Sequence, residues 1–325
     1  MPQRVWITGG HGFVGRRLTA ELAERGCEVW ILERQFSDAE PEARVLRIAL
    51  DDAEAVGEAM RRTRPDAIVH LAAQSSGALS HRLPRETLRN NVESTLGLLQ
   101  ATLAHDAGSR PRLLSIGSCE EYGPPAGDVE LPLTEDQALR PSNPYAVSKA
   151  AQTLLCQQFR RAHGLDVLCV RAFTHSGPGQ ADHFVFSSWA KQIATLEVAG
   201  GGELAVGNLE VSRDVAHVDD VARAYADLLD VRWEHDVVNV CRGIEVPLRA
   251  ALEHLCSRAR ADVSWRVDPA RLRPGDVPRF VGDPSRLHSM IGWIPSTPIE
   301  TTLDELLSWW RGRTSGPIPA PEDSP

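Results

Sequence analysis

Short apolar runs alternate with amphipathic stretches through the first half of the chain. Arg4 to Thr8, Glu28 to Leu32, Val45 to Ile48, Ala67 to Ala73, Leu113 to Ile116 and Val167 to Arg171 each read as a strand. Their apolar residues run on without clean polar alternation, the pattern of strands buried on both faces. Helical periodicities lie between them. Leu18, Leu22 and Ala23 share one face before Gly26, and Val56 and Met60 follow a cap at Asp51 or Asp52. Leu88, Val92, Leu96 and Leu99 align along a long helix from Pro84 to about Ala104. The alternation predicts an α/β fold, a doubly wound parallel Rossmann sheet with helices on both faces.

After residue 173 the texture changes, with Gly and Pro frequent around 177–179, 200–207 and 271–284. Val215 to Val218 and Val237 to Val240 read as returns to the main sheet. Pro247 and Pro284 fall where a first helical turn would begin. Ile299, Leu303, Leu306, Leu307 and Trp310 form a last amphipathic face. This predicts a nucleotide-binding domain over 1–173 plus about 214–241. A smaller, discontinuous substrate-binding domain takes about 174–213 plus 242–311, and 312–325, rich in Pro, Ser and acid, reads as a disordered tail.

The 325 residues are 42% hydrophobic and 24% charged, an ordinary soluble composition. The formal net charge of −9 and the lack of a basic stripe argue against nucleic acid. No apolar run is long enough to span a bilayer. The six cysteines, at 27, 119, 156, 169, 241 and 256, show no metal or redox spacing, so reduced thiols and no metal are expected. With no leader before the first strand, the expected location is cytoplasmic.

The first strand runs into Gly9-Gly10-His11-Gly12-Phe13-Val14-Gly15, and a helix follows. Such glycines permit a tight turn, close approach of backbone to pyrophosphate, and close helix–strand packing. Glu33 ends the next strand, 21 residues after Gly12. In that context the loop reads as a dinucleotide site with the anion at the helix N-terminus. Glu33 can accept ribose hydroxyls, which favours NAD(H). Arg34 beside it keeps NADP(H) open, and His11 reads as a solvent-facing filler.

Tyr145 and Lys149 are four residues apart, on one helical face. A lysine ammonium ~5 Å from a phenol, at an effective dielectric of ~20, favours the phenolate by about 3 kcal/mol. That is roughly two pKa units, enough to make a tyrosine a working acid or base. Three stretches end strands on the side where open α/β sheets bind ligands. They are His70 to Ser76, Gly117 to Gly123 and Arg171 to Gln180. Ser118 can therefore meet Tyr145 in the crevice. An anionic ligand in so acidic a chain needs local cations, and Arg213 and Arg273 are candidates for bidentate pairing. Asp276 could hold ribose hydroxyls. Lys191 is a weaker candidate, since such a helix lysine is commonly a solvated charge.

Taken together, the glycine loop, His70-Leu71-Ala72-Ala73, Asn91, Ser118 with Tyr122-Gly123, and Tyr145-x-x-x-Lys149 resemble the extended short-chain dehydrogenase/reductase family. That family comprises the NAD-dependent nucleotide-sugar epimerases and dehydratases. Leu71 to Ser76, Thr174 to Gln180, Val206 to Glu210, Arg213-Asp214 and Arg271 to Pro278 are similar to its GDP-4-keto-6-deoxy-D-mannose reductase group. The resemblance implies that Tyr145 is the acid/base, Lys149 binds the nicotinamide ribose and tunes it, and Ser118 holds the reacting oxygen. It places cofactor contacts on Gly9, Gly12, Phe13, Val14, Gly15, Glu33, Arg34, Leu50, Leu71, Ala72, Ala73 and Asn91. It places substrate contacts on Gln74, Ser75, Ser76, Thr174, His175, Val185, Lys191 and Asn208, with Arg213, Arg273 and Asp276. Ala49 stands where an acid usually holds adenine, Ala172 where proline is usual, and Thr174 where asparagine is usual.

The implied reaction is NAD(P)H-dependent reduction of the C4 ketone of a GDP-linked 4-keto-6-deoxyhexose, of the kind that yields GDP-D-rhamnose. Glu120, two residues past Ser118, is placed as the base of the dehydratases, so a 4,6-dehydratase or 4-epimerase is the alternative. A nucleotide-sensing protein on an enzyme scaffold is a third class. The resemblance also implies a homodimer through helices near 84–104 and 143–163.

Overall fold

The computed structural model describes residues 1–34, 43–124, 131–272 and 277–314. In the first half, β1 (Arg4–Thr8), α1 (Phe13–Glu24), β2 (Glu28–Glu33), β3 (Ala43–Arg47), α2 (Ala53–Thr63) and β4 (Ala67–His70) follow in order. Then come α3 (Gly77–Arg82), α4 (Pro84–Ala104), β5 (Arg112–Ile116), α5 (Pro144–His163) and β6 (Val167–Ala172). The second half holds β7 (Thr174–Ser176), α6 (Val185–Ala199), β8 (Gly202–Val206), β9 (Ser212–His217), α7 (Val218–Leu228) and β10 (Val237–Val240). It continues with β11 (Glu245–Pro247), α8 (Leu248–Ser257), β12 (Val263–Val267), β13 (Arg279–Phe280), α9 (Ser285–Ile291) and α10 (Ile299–Thr314).

Seven strands form the main sheet in the order β10-β6-β5-β4-β1-β2-β3, all parallel. Each strand divides its side chains between two cores, as a period of two requires. Val5, Ile7, Val69, Leu114 and Val170 join Leu18, Leu22, Tyr225 and Leu287 on one face. Trp6, Ile68, Leu113 and Cys169 join Val56, Met60, Leu98 and Phe159 on the other. Burying one such large apolar side chain stabilises the fold by about 1.5–3 kcal/mol. The buried Trp6 indole donates to the Thr63 hydroxyl at 3.1 Å, so its polar atom is satisfied.

A third core joins α6, α8 and α10 through Phe186, Trp189, Leu252, Leu255, Leu303 and Leu306. Val215, Ala216 and His217 do not return to the main sheet. They lie in β9, which pairs with β7, β11 and β13 in a second, small sheet, and Val218 already begins α7. An apolar pattern identifies a buried strand but not the sheet that takes it. Only β10 returns, beside β6. β4 stops at His70, short of the expected Ala73, because Leu71 onward turns into the ligand-facing loop. Pro247 and Pro284 stand one residue before α8 and α9, as their caps. α10 runs through Thr314, which moves the start of any tail past 312. Residues 315–325 lie outside the described residues.

The aligned apolar row on α4 belongs to its buried face only toward the end of the helix, where Leu99 lies in the core and Leu96 packs against it. Thr87, Asn91, Thr95, Leu98 and Thr102 are buried, whereas Leu88 is exposed. Small and polar residues let α4 lie close. A Cβ on Gly97 would stand 2.0 Å from the Leu50 carbonyl oxygen.

Candidate active site

The glycine loop is shaped by what a side chain would collide with. Gly9 has φ +69°, and a Cβ there would meet the Ala72 backbone nitrogen at 3.0 Å. A Cβ on Gly15 would stand 2.3 Å from the Gly9 carbonyl oxygen. These absences leave α1 starting hard against β1, with its first N–H groups turned toward the carboxyl edge of the sheet. Two buried polar atoms near this edge have no hydrogen-bond partner among the described residues, His11 Nε2 and Gln74 Oε1. The cradle and the orphaned atoms fit a dinucleotide.

His11 is not solvent-facing. Its Nδ1 hydrogen-bonds the Glu33 carboxylate, and both side chains are largely buried. Arg34 is 58% exposed, with Asp51 4.0 Å away, and so presents a cation beside Glu33. Leu50 is a core residue packed with Leu98 and Leu99, so any cofactor contact there is through backbone.

Behind the loop, a chain of hydrogen bonds fixes the fourth strand's end. The Ala72 amide donates to Thr8 Oγ1 (3.0 Å), and the Thr8 hydroxyl reaches His70 Nδ1 (2.8 Å). His70 Nε2 meets Thr95 Oγ1 at 3.1 Å, while the Thr95 hydroxyl donates to the Asn91 carbonyl. That leaves Nε2 as the ring donor and Nδ1 as acceptor, a neutral imidazole. Burial, with a smaller push from the Lys149 charge, lowers the His70 pKa to about 3.

Asn91 is fully buried and joins three elements. Its Oδ1 accepts from the Gln74 amide at 2.8 Å. Its Nδ2 donates to the Gln74 carbonyl and, at 2.8 Å, to Ser148 Oγ. Asn91→Ala would leave the Gln74 amide without its partner, at a cost of about 1–3 kcal/mol. Urea unfolding of the two proteins would read this as a lower midpoint.

α5 begins at Asn143-Pro144, a side-chain cap followed by proline at the first helical position. Asn143 Oδ1 accepts from the Ala146 amide, and its Nδ2 donates to Glu120 Oε2 at 2.7 Å. That cap signature was readable in the sequence, but its grip on Glu120 was not. Glu120 thereby sits beside Tyr145, whose hydroxyl lies near enough to Ser118 to be influenced by it. Ser118 Oγ also accepts from the Glu120 amide at 3.2 Å.

Lys149 does not act on Tyr145 as the helical spacing implies. Its Nζ donates to the Ile116 carbonyl (2.7 Å) and Gln152 Oε1 (3.1 Å). Burial lowers its pKa to about 8, against the Glu121 carboxylate, which raises it. The Tyr145 pKa is raised, first by burial and then by the Glu120 charge. The expected depression fails because spacing says nothing of desolvation, which here outweighs a lysine pointed elsewhere. Cys119 is likewise an unreactive thiol, pushed up by burial.

On the substrate side, His175 in β7 stacks on Phe13 at 6.0 Å, joining the cofactor loop to the 174–180 stretch. Gln180 holds that stretch by donating to the His175 carbonyl (2.9 Å) and accepting from Ser176 Oγ (2.7 Å). Thr174 and Asn208 are half-buried, Ser75 and Val185 exposed, and Ser76 caps α3. Gln74 Nε2 donates to the Ser76 carbonyl at 3.0 Å. Arg213 donates to the Val277 carbonyl at 2.8 Å and lies near enough to Cys119 to influence its thiol. The neighbouring Asp214 accepts from the Arg242 and Gly243 amides, both at 2.7 Å. Lys191 pairs with Asp182 at 2.6 Å and, with Arg271, lines an open cleft of about 480 Å3. Arg273 and Asp276 lie outside the described residues.

A family profile described as GDP-mannose 4,6 dehydratase matches residues 6–306. GDP-6-deoxy-D-mannose reductase of Pseudomonas aeruginosa is 38% identical over 96% of this chain and 99% of its own. GDP-mannose 4,6 dehydratase 1 of Arabidopsis thaliana is 28% identical over 90% of this chain and 86% of its own. Among solved structures, RMD from Pseudomonas aeruginosa complexed with NADPH superposes with a TM-score of 0.82 at 37% identity. That match covers 96% of this chain and 99% of the other. With a Rossmann sheet, a glycine cradle and the Ser118–Tyr145 pair all present, the chain belongs to the GDP-mannose 4,6 dehydratase family of NAD(P)-dependent nucleotide-sugar enzymes.

Proposed function

We propose that this protein reduces the C4 ketone of a GDP-linked 4-keto-6-deoxyhexose to the alcohol. The observation that carries the reading is the end-to-end likeness to a GDP-6-deoxy-D-mannose reductase, at 38% against 28% for a plant dehydratase. The site chemistry supports it. A ketone reduction needs a proton donor, and burial keeps the Tyr145 phenol protonated. Ser118 lies beside that phenol and would share the ketone oxygen with it. Tyr145 releases its proton to that oxygen as the carbonyl becomes a hydroxyl.

A bound reduced nicotinamide supplies the hydride. The Gly9–Gly15 cradle would hold its pyrophosphate, and Lys149 its nicotinamide ribose. Glu33 favours NADH, but its bond to His11 and the exposed Arg34 make the adenosine end compatible with a 2′-phosphate. NADPH is in the solved complex of the reductase relative. Arg213 and the Lys191 cleft are the proposed diphosphate and nucleoside contacts. GDP-4-keto-6-deoxy-D-mannose mixed with the protein and either NADPH or NADH should consume the nicotinamide absorbance. No loss with either cofactor removes the reading.

Glu120 supports a second reading. Held by Asn143 beside Tyr145, it stands where a lyase needs a base. GDP-mannose incubated with the NADP+-loaded protein would then yield a 4-keto-6-deoxy sugar, and the absence of that product excludes it.

The working form is proposed as a cytoplasmic homodimer. All six cysteines are free thiols, and no helix of the described residues is long and apolar enough to cross a membrane. α4 and α5 pack together and leave Leu88, Val147 and Leu154 exposed, the last by 55%. Light scattering should give twice the chain mass. Leu154→Arg should shift it to the monomer, because a charge in a buried apolar interface lacks a partner.

A further inference from the structure

Directly behind Ser118 lies a carboxylate that ketone reduction does not itself require. Glu121 is fully buried, the last residue but one of a 3-10 turn over Cys119–Tyr122. Its Oε1 accepts from the Ser118 amide at 2.9 Å. Its Oε2 faces Arg171 Nε at 3.4 Å, and Arg171 is itself tied to the Tyr122 hydroxyl at 3.0 Å and the Glu135 carbonyl at 2.9 Å. The local sequence makes room for this group. A Cβ on Gly117 would stand 2.2 Å from Glu121 Oε1.

A buried ion pair is weak evidence for stability, because desolvating both charges offsets their attraction. Its placement therefore calls for another reason. Glu121 touches the backbone of one reacting group and faces the charge of another. Burial pushes its carboxyl up, while Arg171 from β6, the Ser118 amide, and Thr153 and Lys149 from α5 pull it back toward the ionised form. Lys149 in turn faces Glu121 and Cys156, and its charge reaches His70 on β4. Tyr145 faces Glu120, Cys119 and, more remotely, Glu121.

We infer that Glu121 is a positioning residue of the catalytic centre, whose carboxylate, faced by Arg171, fixes the Ser118 backbone. This rests on the roles proposed above for Ser118, Tyr145 and Lys149. The side chain touches neither substrate nor cofactor. It acts by holding the Ser118 hydroxyl against Tyr145.

The test separates charge from shape. Glu121→Gln keeps the volume and an acceptor for the Ser118 amide but removes the negative charge. It should lower kcat about tenfold or more, as loss of a charged hydrogen bond does. KM for NADPH should change little. The alkaline limb of the kcat profile should move to lower pH, because Lys149 loses an anion that favours its protonated form. Glu121→Asp retains the charge and shortens the reach, so its limb should stay with the wild type while kcat falls. A Glu121→Gln profile superimposable on the wild type overturns the inference. Should the variants not fold, NMR of the wild-type protein decides it. The Ser118 amide shift should follow the titration of the Glu121 carboxyl that it donates to, and an amide that does not respond overturns the inference. Wild-type inactivity toward the keto sugar would instead fault the reductase reading, and the NMR result would still bear on Glu121.

Discussion

Tyr145→Phe should reduce kcat by about 10²–10⁴-fold while NADPH binding stays near the wild type. The change removes one oxygen from a ring that is only 8% exposed, so packing of the ring is kept. Ser118 Oγ keeps the hydrogen bond that it accepts from the Glu120 amide. What disappears is the group that hands a proton to the developing alkoxide. Ser118→Ala should cost less, because the hydroxyl polarises the oxygen but does not supply its proton. Fluorescence titration with NADPH and single-turnover consumption of the keto sugar measure the two effects separately. Turnover by Tyr145→Phe within a few-fold of wild type would mean that another acid protonates the product, or that the protein is not this enzyme. Turnover by the wild type that the variant abolishes also removes the alternative of a sensor on an inactive scaffold.

Gly15→Ala should cost nucleotide binding and stability together. The added Cβ would meet the Gly9 and Gly10 carbonyl oxygens at 2.3 and 2.6 Å, and both are backbone atoms that cannot rotate away. α1 must then retreat from β1, which moves its free N–H groups away from the pyrophosphate. Overpacking of this kind destabilises by about 1–3 kcal/mol, with more where backbone must move. Gly57→Ala is the matched control. It lies within α2, where a Cβ meets only the Arg61 side chain at 3.6 Å, and removing a helix glycine stabilises by up to about 1 kcal/mol. Thermal melts with and without NADPH should show Gly15→Ala lowered and unresponsive to nucleotide, and Gly57→Ala unchanged or raised. A Gly15→Ala protein that binds NADPH like the wild type would show that close approach at this glycine is not needed.

The chain's local chemistry was informative wherever a residue's role depends on its sequence neighbours. The strand–glycine–helix order predicts the cradle at Gly9–Gly15. The apolar runs predict the main strands to within three residues, because a strand buried on both faces has no polar position to hide. The same runs could not say which sheet takes β9, since pairing partners are chosen by the path of the chain between strands. The leucine row on α4 is exposed at Leu88 and buried at Leu99, because the first turns of this helix bury small and hydrogen-bonding residues, Thr87, Asn91 and Thr95, instead.

Charge is where tertiary structure decided most. By itself the sequence determined a Rossmann fold, a dinucleotide loop, and a serine, tyrosine and lysine that could reach one crevice. It placed Tyr145 and Lys149 one helical turn apart and so implied an easily ionised phenol. Folding buries both, turns the ammonium toward Ile116 and Gln152, and sets Glu120 against the phenol. The result is a protonated tyrosine, the form a ketone reductase needs. His11 and Glu33 were read separately and meet only in space, as do Glu121 and Arg171. Spacing along a chain fixes which side chains can be neighbours. Desolvation and three-dimensional partners fix their protonation, and those exist only once the sheet has closed around them.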